Sequence, residues 1–433
     1  MLLVSSWVHD AAAKHLDRVA IEGLEGSLSY AELRDAAVGG ASALEGARRV
    51  AIALPPGEDF VIAVHACLLA GATAVPIDLR LSAPEREQRL AGAELVIDAP
   101  LPTSLAGQPA SLDERGPPDK GSPDKDVPVA LMHTSGTTAA PKPVVLTNGN
   151  FLASALGSAV AIGLDPAERW LCPMPLTHVG GLSIPIRSVI YATTAVLHGR
   201  FETEMVLNDL MDPARRITLV SLVPTMLARL LDAGLERPPT LRWALLGGGP
   251  IPPALLARAQ AAAVPVAPTY GMTEACSQIA TFGWPLAGVE ARTAGDGEVL
   301  VCGPIVSSGA VADDGWLHTG DIGRFDERGR LEIIGRKSDT IVSGGENVAP
   351  AEVEATLLEH PAVADAAVHP RADPEWGEAV VATVVLREGT TADSEELRAH
   401  CAARLAPFKV PKTVNFAQQL PRTASGKLLR RQL

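Results

Sequence analysis

The stretch "MHTSGTTAAPKPVVLTNGN" places Thr134, Ser135, Gly136, Thr137 and Thr138 after the apolar run "VPVALM" and shortly before Lys142. Small hydroxyl residues around a glycine can turn backbone N–H and side-chain O–H groups toward one point, and a lysine adds a charge on a long stem. That chemistry suits a polyphosphate. The spacing is not the G-x-x-x-x-G-K-[ST] pattern. A second feature is Arg187, alone inside the apolar run "GLSIPIRSVIY" and followed at once by "ATTAVL". A guanidinium keeps its proton, so Arg187 either snorkels along an apolar surface with its head in water or is buried beside an anion. Further along come "TYGMTEACSQ", "WLHTGDIGRF", "IIGRKSDTIVSGGENVAPAEVE" and "PRTASGKLLRR", in that order.

Elements must hold these residues, and the pattern predicts an α/β chain. Apolar strand-like runs alternate with helical ones: "RRVAIAL", "DFVIAVHACLLAG", "ATAVPI", "ITLVSLVP", "TMLARLLDAG", "RWALLGGG" and "PPALLARAQAAA". Strands alternating with helices of this length imply βαβ units and a largely parallel sheet. The polar stretch from Ala106 to Pro128, rich in Pro, Gly and Asp, reads as a surface loop. From about Gly335 the chain reads as a small α+β unit, with strands "AVADAAVHP" and "AVVATVVL" around the helices "APAEVEATLLEH" and "DSEELRAHCAARL".

Composition bounds the partners. At 433 residues, 47% hydrophobic and with a net charge of -13, the chain can build several packed cores, and it has no basic block for nucleic acid or an anionic membrane. Cys67, Cys172, Cys276, Cys302 and Cys401 are scattered without C-x-x-C or metal-ligand spacing, which predicts free thiols in a reducing cytoplasm. The N-terminus lacks a basic n-region and meets Asp10 early, so it is not a secretory signal. The apolar run from Val61 to Ile77 carries His65, Gly71 and Pro76, and reads as buried helix, glycine stop and strand rather than a membrane span.

The four downstream stretches, with the Thr134 to Lys142 loop and the N-terminal "SLSYAEL", resemble the adenylate-forming superfamily of acyl-CoA synthetases, adenylation domains and luciferases. The motifs run from Thr134 to Lys427. The resemblance implies a large N-terminal domain, residues 1–335, with βαβ-type mixed sheets that binds ATP and an acid. It also implies a small mobile α+β C-terminal domain, residues 336–433, with a hinge near Ser338. The activity implied is activation of a carboxylic acid by MgATP to an acyl-adenylate, with release of pyrophosphate, and transfer of the acyl group to a thiol. Carboxylate attack on the α-phosphorus brings two anions together, so such an enzyme must offset charge and fix geometry rather than supply a nucleophile.

By motif match the resemblance assigns Thr134, Ser135, Gly136, Thr137, Thr138 and Lys142 to the phosphates, and Gly248 to the nucleotide site. Thr273 bonds a phosphate oxygen, and Glu274 ligates magnesium, a hard cation suited to a carboxylate. Tyr270 lies against the adenine, Asp321 and Arg336 take the ribose hydroxyls, and Lys427 reaches the reacting carboxylate and the α-phosphate. Rotation of the small domain would withdraw Lys427 and bring up "SGGEN", where Gly344 and Gly345 let a pantetheine arm pass close to backbone. Two positions depart from the family: Ala139 and Ala140 stand where Gly-Lys is common, which could weaken ATP binding, and Ser338 stands where many relatives carry Asp or Lys.

Among subfamilies, "PMPLTHVGGLSIPIRSVIY", "SLVPTML", "LLGGGPIP" and "TYGMTEACSQIAT" most resemble the o-succinylbenzoate–CoA ligases of menaquinone biosynthesis. That implies coenzyme A as the thiol, a role expected also because no carrier domain follows Leu433. It implies that His178 guards the thiol channel and that Arg187 recognises the benzoate carboxylate, assisted by Ser277 and Gln278. Gly247, Gly248 and Gly249 form a flat wall for the ring. A malonate-type or general aryl-CoA ligase and a catalytically silent nucleotide-binding homologue are the competing readings, and no G-x-S-x-G elbow supports a serine hydrolase. The partners expected are small-molecule substrates, without nucleic acid or integral membrane association. Assembly into a homo-oligomer stays open.

Overall fold

The structure, a computed structural model, describes residues 7–24, 26–102, 124–134, 142–422 and 428–433. The chain forms two compact units. One comprises Met1–Gly248, Ala262–Glu290 and Val301–Leu317, and the other Gly249–Ala261, Ala291–Leu300 and His318–Leu433. This division falls upstream of the 335/336 boundary expected from sequence, and the paired residues Asp321–Phe325 and Leu331–Arg336 lie together in the second unit.

The first unit contains a nine-stranded sheet in the order Trp284–Pro285, Ser277–Thr281, Val266–Met272, Trp243–Leu246, Leu219–Leu222, Arg169–Cys172, Thr194–Leu197, Val19–Glu22, Ser27–Ser29. Its centre is parallel and its edges are antiparallel. The central strands Leu219–Leu222 and Thr194–Leu197 are buried at every position, as strands covered on both faces require. A five-stranded sheet runs Leu95–Ile97, Arg49–Ile52, Thr73–Pro76, Pro128–Thr134, Lys142–Thr147, parallel except for its last pair.

The run from Val61 to Ile77 resolves as expected. Helix Glu58–Ala70 opens on Glu58 and Asp59, which favour a helix N-terminus, and stops at Gly71 in the left-handed region, φ 70°, whose N–H returns to the carbonyls of Cys67 and Leu68. Strand Thr73–Pro76 follows at once. Phe60, Val64 and Cys67 face one core with Trp170, Leu176 and Leu182, and that core fixes the helix carrying Arg187.

In the second unit, a sheet runs Glu346–Val348, Ile341–Ser343, Gly377–Leu386, Val363–Asp373, with Thr413–Phe416 added beside Gly377–Leu386. Helices Pro350–Leu358 and Ser394–Ala402 place Val353, Leu357, Leu397 and Cys401 on its core. The hairpin Leu317–Phe325/Leu331–Arg336 lies in a four-stranded sheet behind Glu290–Thr293 and Glu298–Cys302. The α+β character expected from Gly335 onward holds. All five cysteines are free thiols. No helix among the described residues is long and apolar enough to cross a membrane.

Candidate active site

Thr134 ends one strand and Lys142 begins the next, and the two are register partners in an antiparallel pair, with Thr134 Oγ1 donating to the Lys142 carbonyl at 3.3 Å. The helix Asn148–Ile162 begins only after the second strand. Ser135, Gly136, Thr137 and Thr138 lie outside the described residues, as do Ala139 and Ala140. Lys142 is exposed at the hairpin's mouth.

The stretch "TYGMTEACSQ" folds as strand Val266–Met272, a single turn Thr273–Ala275, and strand Ser277–Thr281 returning antiparallel. Gly271 permits this: a Cβ there would lie 1.6 Å from the Ser277 carbonyl oxygen, so no side chain fits. Cys276 and Ser277 take φ values of 48° and 88°, a conformation that side-chain-bearing residues rarely adopt and that recurs at functional loops. Tyr270, Thr273 and Glu274 are thereby brought to one turn, each half-buried. No basic side chain among the described residues pairs with the Glu274 carboxylate, while its carbonyl accepts the Ser307 N–H at 2.8 Å. No group of three or more acidic, His or Cys residues that could cage a metal occurs among the described residues. One open carboxylate fits magnesium, which typically takes one or two carboxylates together with substrate phosphates.

Gly247 follows strand Trp243–Leu246, and a Cβ on it would meet Thr269 Oγ1 at 2.3 Å; Gly248 takes φ 78°. Both positions therefore require glycine. Gly249 is exposed and belongs to the second compact unit.

Arg187 lies on helix Val179–Tyr191 and is only 2% exposed, which removes the snorkelling alternative. The helix starts against the Met174–Pro175 turn, where a Cβ on Gly181 would lie 2.2 Å from the Pro175 carbonyl, and its far end is held by the buried Tyr30 hydroxyl, which reaches the carbonyls of Ser188 at 2.9 Å and Thr193 at 2.6 Å. Arg187 Nη1 donates to Gln278 Oε1 at 2.6 Å and Nη2 to Ser154 Oγ at 2.7 Å. Ser154 Oγ in turn donates to the Cys276 carbonyl at 2.6 Å, and Gln278 Nε2 donates to Thr281 Oγ1 at 3.2 Å. The Trp170 ring centroid is 5.9 Å from the guanidinium carbon, at the outer edge of a cation–π contact. Arg187 Nε has no hydrogen-bond partner, and no carboxylate pairs with the guanidinium among the described residues. Burial pulls its pKa down from the ordinary arginine value. The charge is thus desolvated, held only by neutral oxygens and short of an anion.

His178 caps the same helix with extended backbone, accepting the N–H groups of Gly181 and Leu182. More than a third of its surface meets solvent. Desolvation by the surrounding protein nevertheless lowers its pKa, with Asp78 opposing and Arg80 and Arg89 reinforcing, which favours the neutral ring.

In the second unit, Asp321 and Arg336 are register partners, and Arg336 Nε lies 2.6 Å from Asp321 Oδ1. Asp321 is buried and Arg336 exposed. Ser338 sits in the turn Lys337–Asp339, its hydroxyl donating to Asp339 Oδ1 at 3.0 Å. Gly344 and Gly345, at φ 61° and 84°, form the two-residue turn of the hairpin Ile341–Ser343/Glu346–Val348, the conformation that a primed turn demands. A Cβ on Gly344 would strike Trp376 at 2.9 Å, whereas nothing lies within 4 Å of one on Gly345. Lys427 lies outside the described residues. On either side of it Arg422 pairs with Leu428 in a β-bridge, Arg422 Nη2 bonds Asp365 at 2.8 Å, and Arg430 Nη2 bonds the buried Glu354 at 2.8 Å.

Sequence reasoning missed Ser154, Trp170 and Gly271. Ser154 lies in the featureless "FLASALGS", and no local signal ties it to Arg187. Gly271 could have been suspected from its place between Tyr270 and Thr273. Ser277 and Gln278 lie on a strand, with Gln278 buried.

The family model described as "AMP-binding enzyme" matches residues 8–312, and that described as "AMP-binding enzyme C-terminal domain" matches residues 352–427. The chain is 38% identical to a 2-succinylbenzoate–CoA ligase of Bacillus licheniformis, over 99% of both chains. Its fold is similar to that of the o-succinylbenzoate CoA synthetase of Bacillus subtilis in complex with the acyl-adenylate intermediate, with a TM-score of 0.85 and 35% identity over 98% of this chain and 97% of that one. It is equally similar to the same enzyme in complex with ATP and magnesium, with a TM-score of 0.85 and 36% identity over 99% and 98%. With its five motif stretches in order and both family models matched in their proper places, the chain belongs to the AMP-binding enzyme family, alongside the 2-succinylbenzoate–CoA ligases.

Proposed function

We infer that this chain is an AMP-forming acid–thiol ligase that converts o-succinylbenzoate, ATP and coenzyme A to o-succinylbenzoyl-CoA, AMP and diphosphate, a step of menaquinone biosynthesis carried out in the cytoplasm. The observation that carries the substrate reading is Arg187, a buried guanidinium bonded only to Gln278, Ser154 and no acid among the described residues. Succinylbenzoate has two carboxylates; the succinyl one is activated, and the ring one supplies the anion that Arg187 lacks. Gly247, Gly248 and Gly249 wall the ring, and Ser277 and Gln278 line the carboxylate end.

Thr134 to Thr138, Lys142 and Thr273 bind the phosphates, Tyr270 stacks on the adenine, and Asp321 with Arg336 takes the ribose. Glu274 would hold magnesium, which when bound neutralises phosphate charge. Lys427 orients the reacting carboxylate against the α-phosphate, and the second half-reaction follows rotation about Ser338. His178 borders the thiol route, and its lowered pKa favours the neutral ring there.

Exchange of labelled pyrophosphate into ATP with a panel of acids tests the substrate. Exchange is expected with o-succinylbenzoate alone. Exchange with malonate would make the enzyme a dicarboxylate ligase of another kind, and no exchange with any acid would leave a silent nucleotide binder.

The thiol route makes a separate prediction at Gly345. Gly345→Leu has room for its side chain but forces a left-handed residue, a cost of about 1 to 2 kcal/mol that falls on the hairpin whatever the reaction step. If pantetheine passes there, thioester formation from supplied acyl-adenylate slows by about tenfold or more while adenylation changes far less. Equal changes in both half-reactions would place the route elsewhere.

A further inference from the structure

Glu298 opens the strand Glu298–Cys302 and is buried, with 6% of its surface exposed. Its two carboxylate oxygens have separate partners. Oε1 accepts the backbone N–H of Gly320 at 2.9 Å, and Oε2 accepts Lys337 Nζ at 3.0 Å, with His318 Nδ1 3.5 Å away. Gly320 immediately precedes Asp321, and Lys337 immediately follows Arg336. One buried carboxylate therefore grips the chain on the outer side of each member of the Asp321–Arg336 pair.

The surrounding bonds reinforce that grip. Gly320 takes φ 69° with open space around it, so glycine is there for its backbone, and the Glu298 oxygen is what holds that conformation. Thr319 Oγ1 donates to the Val299 carbonyl at 2.7 Å and accepts the Asp321 N–H at 3.1 Å. Asp296 receives Lys337 Nζ at 2.6 Å and the Glu298 N–H at 3.1 Å. Burial alone would raise the Glu298 pKa, but Lys337, Gly320 and His318 together hold it below the ordinary glutamate value, so the carboxylate is ionised where it is needed as a double acceptor.

We propose that Glu298 is the positioning residue of the nucleotide's ribose site, aligning Asp321 through Gly320 and Arg336 through Lys337 without touching the nucleotide itself. The proposal rests on the reading of Asp321 and Arg336 as the ribose partners. A residue that only stabilised the fold would lower activity with every nucleotide alike. A residue that aligns the ribose partners governs discrimination between ATP and its 2′-deoxy and 3′-deoxy analogues, because only those hydroxyls lose their partners.

The experiment compares kcat/KM for ATP, 2′-deoxy-ATP and 3′-deoxy-ATP in the parent, Glu298→Ala, Glu298→Gln, Lys337→Met and Asp321→Asn, with each variant's melting temperature recorded. Glu298→Ala is expected to lower kcat/KM for ATP by about tenfold or more, the loss attached to one hydrogen bond to a charged group, and to bring the ATP to deoxy-ATP ratio toward one. Glu298→Gln keeps an acceptor for Gly320 and should retain more of the ratio than Glu298→Ala, and Lys337→Met should behave like Glu298→Gln. If Glu298→Ala does not fold, the glutamine and methionine variants carry the same comparison. A ratio that collapses in Asp321→Asn but is unchanged in all the Glu298 and Lys337 variants overturns the positioning role alone. A ratio unaffected even by Asp321→Asn overturns the ribose reading, and the proposal with it.

Discussion

Lys427→Ala is expected to suppress acyl-adenylate formation by roughly three orders of magnitude, the scale seen when one preorganised charge partner of a transition state is removed. The reason lies in the chemistry of the first step: a carboxylate must approach a phosphorus already surrounded by anionic oxygens, and a cation placed between them lowers that repulsion most at the transition state. The same variant, given preformed acyl-adenylate and coenzyme A, should form thioester at close to the parent rate if rotation of the small domain withdraws the lysine before the thiol attacks the neutral acyl carbon. The two half-reactions are measured separately, by pyrophosphate exchange and by thioester release. Parallel loss of both would mean that Lys427 serves one fixed site and that no exchange of active-site residues occurs.

What the sequence discloses depends on how local the signal is. The helix, glycine stop and strand from Val61 to Ile77 were legible because each signal, acidic first turn, left-handed glycine and β-branched run, lies within a few residues of its effect. Tyr270, Thr273, Glu274, Asp321 and Arg336 were singled out by the resemblance of their motif stretches, not by a local structural signal; the strand Val266–Met272 ends at the turn Thr273–Ala275, and Asp321 meets Arg336 only through strand pairing. The environment of Arg187 was not. Snorkelling and burial share one local pattern, and they are separated only by Ser154 and Gln278, which lie 33 and 91 residues away in the chain and meet Arg187 through tertiary packing. Glu298 is hidden for the same reason: a glutamate opening a strand reads as an edge residue until the strands beside it bring Gly320 and Lys337 to its two oxygens.

Arg187→Ala should lower kcat/KM for o-succinylbenzoate by roughly two to three decades or more. A buried ion pair that loses one partner costs on the order of 3 to 5 kcal/mol, since the remaining charge is left uncompensated, and each factor of ten corresponds to about 1.4 kcal/mol. The mutation here removes the cation, so the stranded charge is the substrate's ring carboxylate, and the penalty falls on binding and turnover rather than on the free enzyme. In the free protein the same change should cost little or even stabilise, because a desolvated guanidinium with an unbonded Nε and only neutral oxygens around it is itself unfavourable. The two effects therefore run in opposite directions, which a purely structural role for Arg187 does not allow. Arg187→Lys should recover only part of the activity, because an ammonium keeps the charge but loses the planar fork that Gln278 and Ser154 hold in place. The measurement is a double cycle of parent and Arg187→Ala against succinylbenzoate and an analogue without the ring carboxylate, read by pyrophosphate release and accompanied by thermal melts. The analogue should be poor for the parent and nearly indifferent to the mutation. Activity on succinylbenzoate within about twofold of the parent, together with a fall in melting temperature, would make Arg187 a packing residue and remove the main support for the diacid pocket.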